Sequence, residues 1–197
     1  TTHGPAQLHS NQNVTSLADV DGMKVRVPGG VGGDMGAALG AIGIQVPAPK
    51  VYETLASNAA DGVVMPFESR VGFKLTEVAT NVYEMPGGLY RGSFALIMNE
   101  DTFADLPTDL QAVLETEVFG EPASRMAGIM WDGIDAKGLE ATRATEGNRI
   151  TPASAEDLAA FEAIAEQVRA DVLAEIAAKG VDAQAAFAMV KSVMAEN

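Results

Sequence analysis

A chain of 197 residues, 47% of them hydrophobic and with a mean hydropathy of +0.09, can build one large or two small globular domains and is not a disordered chain. Its net charge of −14 leaves no electrostatic footprint for nucleic acid and would repel anionic lipid, so an anionic ligand needs a localised cation. The lack of cysteine excludes disulfides, thiolate zinc sites and cysteine nucleophiles, and no apolar run approaches the ~18 residues of a membrane span.

The chain opens Thr-Thr-His-Gly-Pro, with neither Met nor signal peptide, as though cut from something longer. Residues 1–20 are polar and read as an extended segment, then a short helical turn. Over residues 23–28, Val25 and Val27 alternate with Lys24 and Arg26, the period-2 pattern of a strand that Pro28 stops. Glycines follow as a tight turn, and residues 35–41 read as a small helix. Residues 43–47 read as the next strand. Val51, Leu55 and Ala59 then fall at helical spacing in residues 50–60. Val63-Val64-Met65 is a short apolar strand ended by Pro66. Phe67, Val71, Leu75 and Val78 mark a helix over residues 67–78. This alternation is the signature of a parallel sheet.

Residues 93–98, Ser-Phe-Ala-Leu-Ile-Met, are nearly all apolar and are expected to be a strand buried on both faces. A long helix starts near Pro107, breaks near Gly120 and runs to about Thr145. Residues 149–152 read as a short strand or connector. Ser154 and Asp157 form a weak capping box for a helix that Gly180 stops, and residues 182–195 form a last helix.

Arg26 carries the chemistry. At the carboxyl end of a strand it faces the crevice where open α/β sheets bind ligands, and its planar fork of donors matches a carboxylate or phosphate. An ordinary strand arginine reaching solvent or a nearby aspartate is the competing reading. Other chemistry fails. The glycines of residues 29–36 miss the G-x-G-x-x-G spacing of a dinucleotide site, because Met35 stands where the third glycine belongs, and no P-loop follows. His3 and His9 lie in the N-terminal stretch with no G-x-S-x-G elbow, and read as satisfied or solvent-facing. The carboxylates fall mostly on helix faces, without metal-ligand spacing. Trp131 reads as core or hinge packing.

The string Val20-Asp21-Gly22-Met23-Lys24-Val25-Arg26-Val27-Pro28 closely resembles the L-K-G-L-K-I-R-V-P segment of the DctP-like family. These are the periplasmic solute-binding subunits of tripartite ATP-independent periplasmic (TRAP) transporters. Leu39-Gly40-Ala41, the prolines 47 and 49, Val51-Tyr52-Glu53-Thr54-Leu55, Ala60-Asp61-Gly62, Met98-Asn99 and Leu106-Pro107 follow in the family's order. The resemblance implies an α/β, type II periplasmic binding-protein fold in which Arg26 clamps the ligand's carboxylate. The family's usual amide before Pro66 is replaced by Met65, so Met65, Phe67 and Tyr90 are expected to offer an apolar or aromatic wall, with simple core packing as the other reading of those residues. The ligand implied is a monocarboxylate or 2-oxo acid with an apolar or aromatic tail rather than a sugar acid.

Family members are about half as long again. The chain therefore resembles a second lobe (residues 1–90), a strand and long helix of the first lobe (91–130), and C-terminal helices packing back on the second (131–197). Its partners would be a small carboxylate and the TRAP permease subunits in the periplasm, with no cofactor, no catalysis and no nucleic acid. Apolar faces left uncovered in residues 91–130 predict self-association of the fragment. The rival readings are a nucleotide-dependent oxidoreductase using the glycine turn, and an acidic interaction domain without a ligand.

Overall fold

The computed structural model describes residues 1–195. Its sheet is built from β1 (Gln7–Ser10), β2 (Lys24–Arg26), β3 (Ile42–Ile44), β4 (Gly62–Met65), β5 (Asn81–Glu84) and β6 (Arg149–Pro152). The spatial order is β3-β2-β4-β1-β5-β6. β2 runs parallel to β3 and β4, and β5 parallel to β6. β1 lies antiparallel between β4 and β5, so the sheet is mixed rather than wholly parallel.

Why β1 can sit there is a matter of satisfied polar groups. Gln7-Leu8-His9-Ser10 lacks an apolar strand pattern, yet all four residues are buried. The Gln7 amide donates to Met85 O at 3.2 Å and accepts from Met85 N at 2.8 Å. His9 Nε2 is 2.8 Å from Met65 O, and Ser10 Oγ donates to Asp61 O at 3.1 Å. Burial of these side chains is tolerable because each finds a backbone partner.

Helices cover both faces of the sheet. On one face, Leu8, Val25, Val27, Val64 and Tyr83 pack with Met35 of α1 (Val31–Ala38) and Phe161 and Val168 of α8 (Ala155–Ala178). On the other, Val63 and Met65 pack with Val51 and Leu55 of α2 (Val51–Ala56), and with Leu75 of α4 (Leu75–Val78) and Ala79. Between α2 and α4 comes α3 (Ser69–Gly72). Residues 67–78 are thus two short helices rather than one, broken at Lys74, whose φ of 54° leaves the right-handed helix.

The small helix starts earlier than the sequence pattern indicates, at Val31. Gly30 before it has φ 63° and ψ −145°, a conformation that only glycine reaches without strain. Two glycines of the turn serve close packing: a Cβ on Gly32 would lie 2.5 Å from Pro28 Cγ, and one on Gly36 2.7 Å from Val27 Cγ1. The expected break in the long helix is present. α5 (Glu100–Ala104) and α6 (Thr108–Val113) precede a wide π-helical turn over Leu114–Val118, and α7 (Glu121–Ala144) resumes after Gly120. Asp157 N donates to Ser154 Oγ at 3.0 Å, the expected cap of α8, and α9 is Ala183–Ala195.

Residues 93–98 correct one expectation. They form no ladder strand: Ser93 makes only an isolated bridge to Thr2, and Leu96 and Ile97 are 81% and 85% exposed. An apolar run becomes a buried strand only where another strand pairs with it and layers cover its faces, and none of the described residues does so. Among the described residues, no helix is long and apolar enough to cross a membrane.

Candidate functional site

β2 ends at Arg26, which alternates away from Val25 and Val27 of the α1–α8 core and sits in register with Val63 of β4. The side chain is only 7% exposed. Its Nε donates to Val46 O at 3.0 Å. Among the described residues, neither terminal nitrogen of the guanidinium has a hydrogen-bond or ion-pair partner. Burial pushes its pKa below the ordinary arginine value, opposed only by the nearby Tyr90 hydroxyl. A buried cation with unspent donors is a costly arrangement unless something anionic arrives.

Tyr90 links Arg26 to a cluster of rings. His3 meets Tyr90 edge-on at 5.3 Å between centroids, and lies 5.8 Å from Phe94 and 6.3 Å from Trp131. Phe94 stacks on Trp131 at 5.8 Å and 16°. Backbone pairing holds the first residues against the 90–94 segment, with His3 N donating to Gly92 O and Ala6 N to Tyr90 O. Both nitrogens of His3 are occupied: Nε2 accepts from Gly92 N at 3.0 Å, and Nδ1 faces Gly4 O. That ring is therefore a fixed wall rather than a free base. Tyr90 also lines an apolar cavity of about 430 Å³ with Met35, Leu89, Val172 and Phe187, and with Arg91 and Arg169.

Two carboxylates complete the surroundings. Asp135 stands one helical turn after Trp131 on α7, and its Oδ1 accepts from Glu68 N at 2.7 Å. Burial first, and Asp135 second, push the Glu68 carboxyl up to about 7. Burial also raises Asp135, against the favourable hydrogen bond from Glu68. Tyr90 is raised mainly by burial, lowered by Arg26 and raised again by Glu68.

The structure brings Arg26 and Tyr90 together. Met65 is buried among Val51, Leu55, Val63 and Leu75, two residues beyond the register partner of Arg26 on the same strand face. Phe67 sets its ring edge-on to His9 at 5.9 Å and lines a cleft of about 470 Å³ with Gln7, Asp135 and Leu139. His3, Glu68, Phe94, Trp131 and Asp135 were not singled out as site residues in the sequence. They come from separate parts of the chain, with no shared motif to announce them. Among the described residues, no group of His, Cys, Asp or Glu could hold a metal ion.

The family model described as bacterial extracellular solute-binding protein, family 7 (DctP), matches residues 1–176. The outer membrane transporter protein TsaT of Comamonas testosteroni is 24% identical over 185 residues, which is 93% of this chain and 54% of that protein. A TRAP periplasmic solute binding protein from Bordetella bronchiseptica, solved with bound (R)-mandelate and (S)-mandelate, is 34% identical with a TM-score of 0.88, over 95% of this chain and 59% of that one. A TRAP solute binding protein from Rhodoferax ferrireducens T118, solved with copurified benzoate, is 27% identical with a TM-score of 0.91, over 99% of this chain and 61% of that one. The chain thus spans little more than half the length of these relatives.

Proposed function

Because this chain belongs to the DctP family of bacterial extracellular solute-binding proteins, we propose that it is the anchoring part of a periplasmic receptor that captures a small aromatic monocarboxylate for a TRAP permease. The observation that carries this reading is the buried Arg26 guanidinium, with Nε spent on Val46 O and its other donors open, beside a wall of aromatic rings. A carboxylate accepts two parallel N–H bonds from such a fork, and an aryl tail gains from edge-on and stacked ring contacts. Arg26 and Tyr90 then touch the ligand, while Met65 and Phe67 form the apolar floor behind it. The mandelate and benzoate found in the two solved relatives are of the same chemical class. Residues 91–130 serve as the segment that crosses to the first lobe, and closure of two lobes holds the solute. On this reading the role of the chain is to bind and hand over a solute, in keeping with its family.

A thermal-shift screen of the full-length protein tests the reading. Benzoate, mandelate and phenylpyruvate are expected to raise the melting temperature, since a ligand that binds only the folded state stabilises it. A screen in which only sialic or uronic acids do so refutes the ligand class. The exposed Leu96 and Ile97 add a second expectation, self-association of the isolated chain in light scattering.

A further inference from the structure

The apolar cavity between α1, α8 and α9 has no part in the capture of a carboxylate by Arg26, which does not line it. Met35, Leu89 and Val168 of its wall belong to the core that Val25 and Val27 face, and Arg26 alternates away from that core. Its volume of about 430 Å³ is that of a small-molecule site. Small side chains, Ala165 on α8 with Ala183 and Ala186 on α9, leave room between the two helices. Interiors ordinarily pack without such gaps, and a gap lined by apolar groups offers water few partners.

The charges at this cavity are one-sided. Acids outnumber bases 27 to 13 in the chain, yet among the described residues no acid lines the cavity and two arginines do. Arg169 is partly spent, on an ion pair with Glu166 and on the face of Phe187, 5.5 Å from the ring centroid. Lys191 Nζ stands 5.7 Å from the same centroid. Arg91 is exposed, and among the described residues its guanidinium has no hydrogen-bond or ion-pair partner.

We propose that this cavity is a second ligand site, separate from the Arg26 anchor, that takes a medium-chain fatty carboxylate. The alkyl tail lies along Leu89, Val172, Ile176 and Phe187, and the carboxylate stays at the mouth with Arg91. A guanidinium there selects an anionic head. The Tyr90 hydroxyl is the one uncharged polar side-chain group among the described residues of the wall, so a hydroxylated tail would lose its water without finding partners. The proposal does not depend on the reading of Arg26, and both sites can be filled at once.

Isothermal titration of octanoate and decanoate into the full-length protein, with and without benzoate, tests this. Decanoate is expected to bind without displacing benzoate, and about fifteenfold more tightly than octanoate, each buried methylene adding about fourfold. Arg91→Gln should weaken decanoate by about fivefold, the worth of an ion pair open to solvent. Leu173→Trp, which fills the cavity, should abolish decanoate binding, and both variants should bind benzoate as wild type does. Decanoate that fails to bind wild type, as when another segment of the protein or a second copy of the chain fills the cavity, overturns the proposal. So does equal affinity for octanoate and decanoate, or full decanoate binding by a folded Leu173→Trp. Mutual displacement of decanoate and benzoate would make the two places one site, and overturns it as well.

Discussion

Arg26 and Arg70 are both buried, yet the molecule uses their guanidinium groups in opposite ways. Arg70, 1% exposed, spends its donors inside the protein: Nε on Thr142 Oγ1 at 3.0 Å, Nη1 on Leu75 O and Ala79 O, Nη2 on Asn148 Oδ1. Those partners belong to α4, α7 and the approaches to β5 and β6, so one side chain ties four segments together. Arg26 spends only Nε, on Val46 O. Burial lowers both pKa values, Arg70 to about 10. Desolvation is thus common to both, and the inventory of partners separates them. A guanidinium whose donors are answered internally is a structural tie, whereas one left open at a strand end has donors to offer the proposed carboxylate.

The largest expected effect lies on the structural side. Arg70→Met should cost about 3–5 kcal/mol of folding stability, because it strands two carbonyls, a buried hydroxyl and an amide without their donor. Urea denaturation measures this. A loss under about 1 kcal/mol would mean that water replaces the guanidinium and that Arg70 is no tie.

The complementary variant moves the other quantity. Arg26→Ala should cost about 2–4 kcal/mol of carboxylate binding while changing folding stability by no more than about 1 kcal/mol, since no internal ion pair is broken. Arg26→Lys should also bind poorly, because an ammonium cannot offer the planar fork. Isothermal titration beside denaturation separates the two arginines. If Arg26→Ala unfolds the protein as readily as Arg70→Met does, the contrast collapses.

Only one of the two was legible in the sequence. Arg26 stands in an alternating Lys-Val-Arg-Val run closed by Pro28 and glycines, so strand, strand end and outward face all follow from local chemistry. Arg70 sits in Ser-Arg-Val-Gly, a pattern shared with any exposed helix, and Thr142 and Asn148 are 72 and 78 residues away. Long-range pairing likewise hid β1 and β5. Gln-Leu-His-Ser and Asn-Val-Tyr-Glu have no alternation strong enough to mark a strand, and they are strands because neighbours on both sides complete their ladders. Residues 93–98 failed in the opposite direction. Their composition is that of a buried strand, but burial depends on a partner that composition cannot supply. The ring cluster drew on positions 3, 90, 94 and 131, which only the folded chain brings together.

The smallest effect sharpens the contrast through a neighbour of Arg70. His9, fully buried in β1, lies with Nε2 2.8 Å from Met65 O, while Nδ1 has no hydrogen-bond partner among the described residues. Burial first, and the Arg70 charge second, push its pKa down to about 3. The unfolded chain keeps the ordinary value near 6.5, so between those pH values it binds a proton that the folded protein refuses. Stability from His9 is therefore complete above pH 6.5 and is lost as pH falls, by about 2 kcal/mol at pH 5. Glu68 acts with the opposite sign: its raised pKa makes the folded state bind a proton first, so its contribution is full below the ordinary carboxylate pKa and lost as pH rises through about 7. His9→Gln can still donate to Met65 O but cannot take up a proton. Because the two contributions oppose each other in the wild type, urea denaturation at pH 7.5 and pH 5 should show His9→Gln gaining stability relative to wild type on acidification, and Glu68→Gln losing stability relative to wild type. Arg70→Met should narrow the His9 loss, because the charge that helps keep the imidazole neutral is gone. Equal pH dependence in wild type and His9→Gln would show that the buried ring is not held neutral, and that Arg70 acts on the backbone and polar groups it binds rather than on its charged surroundings.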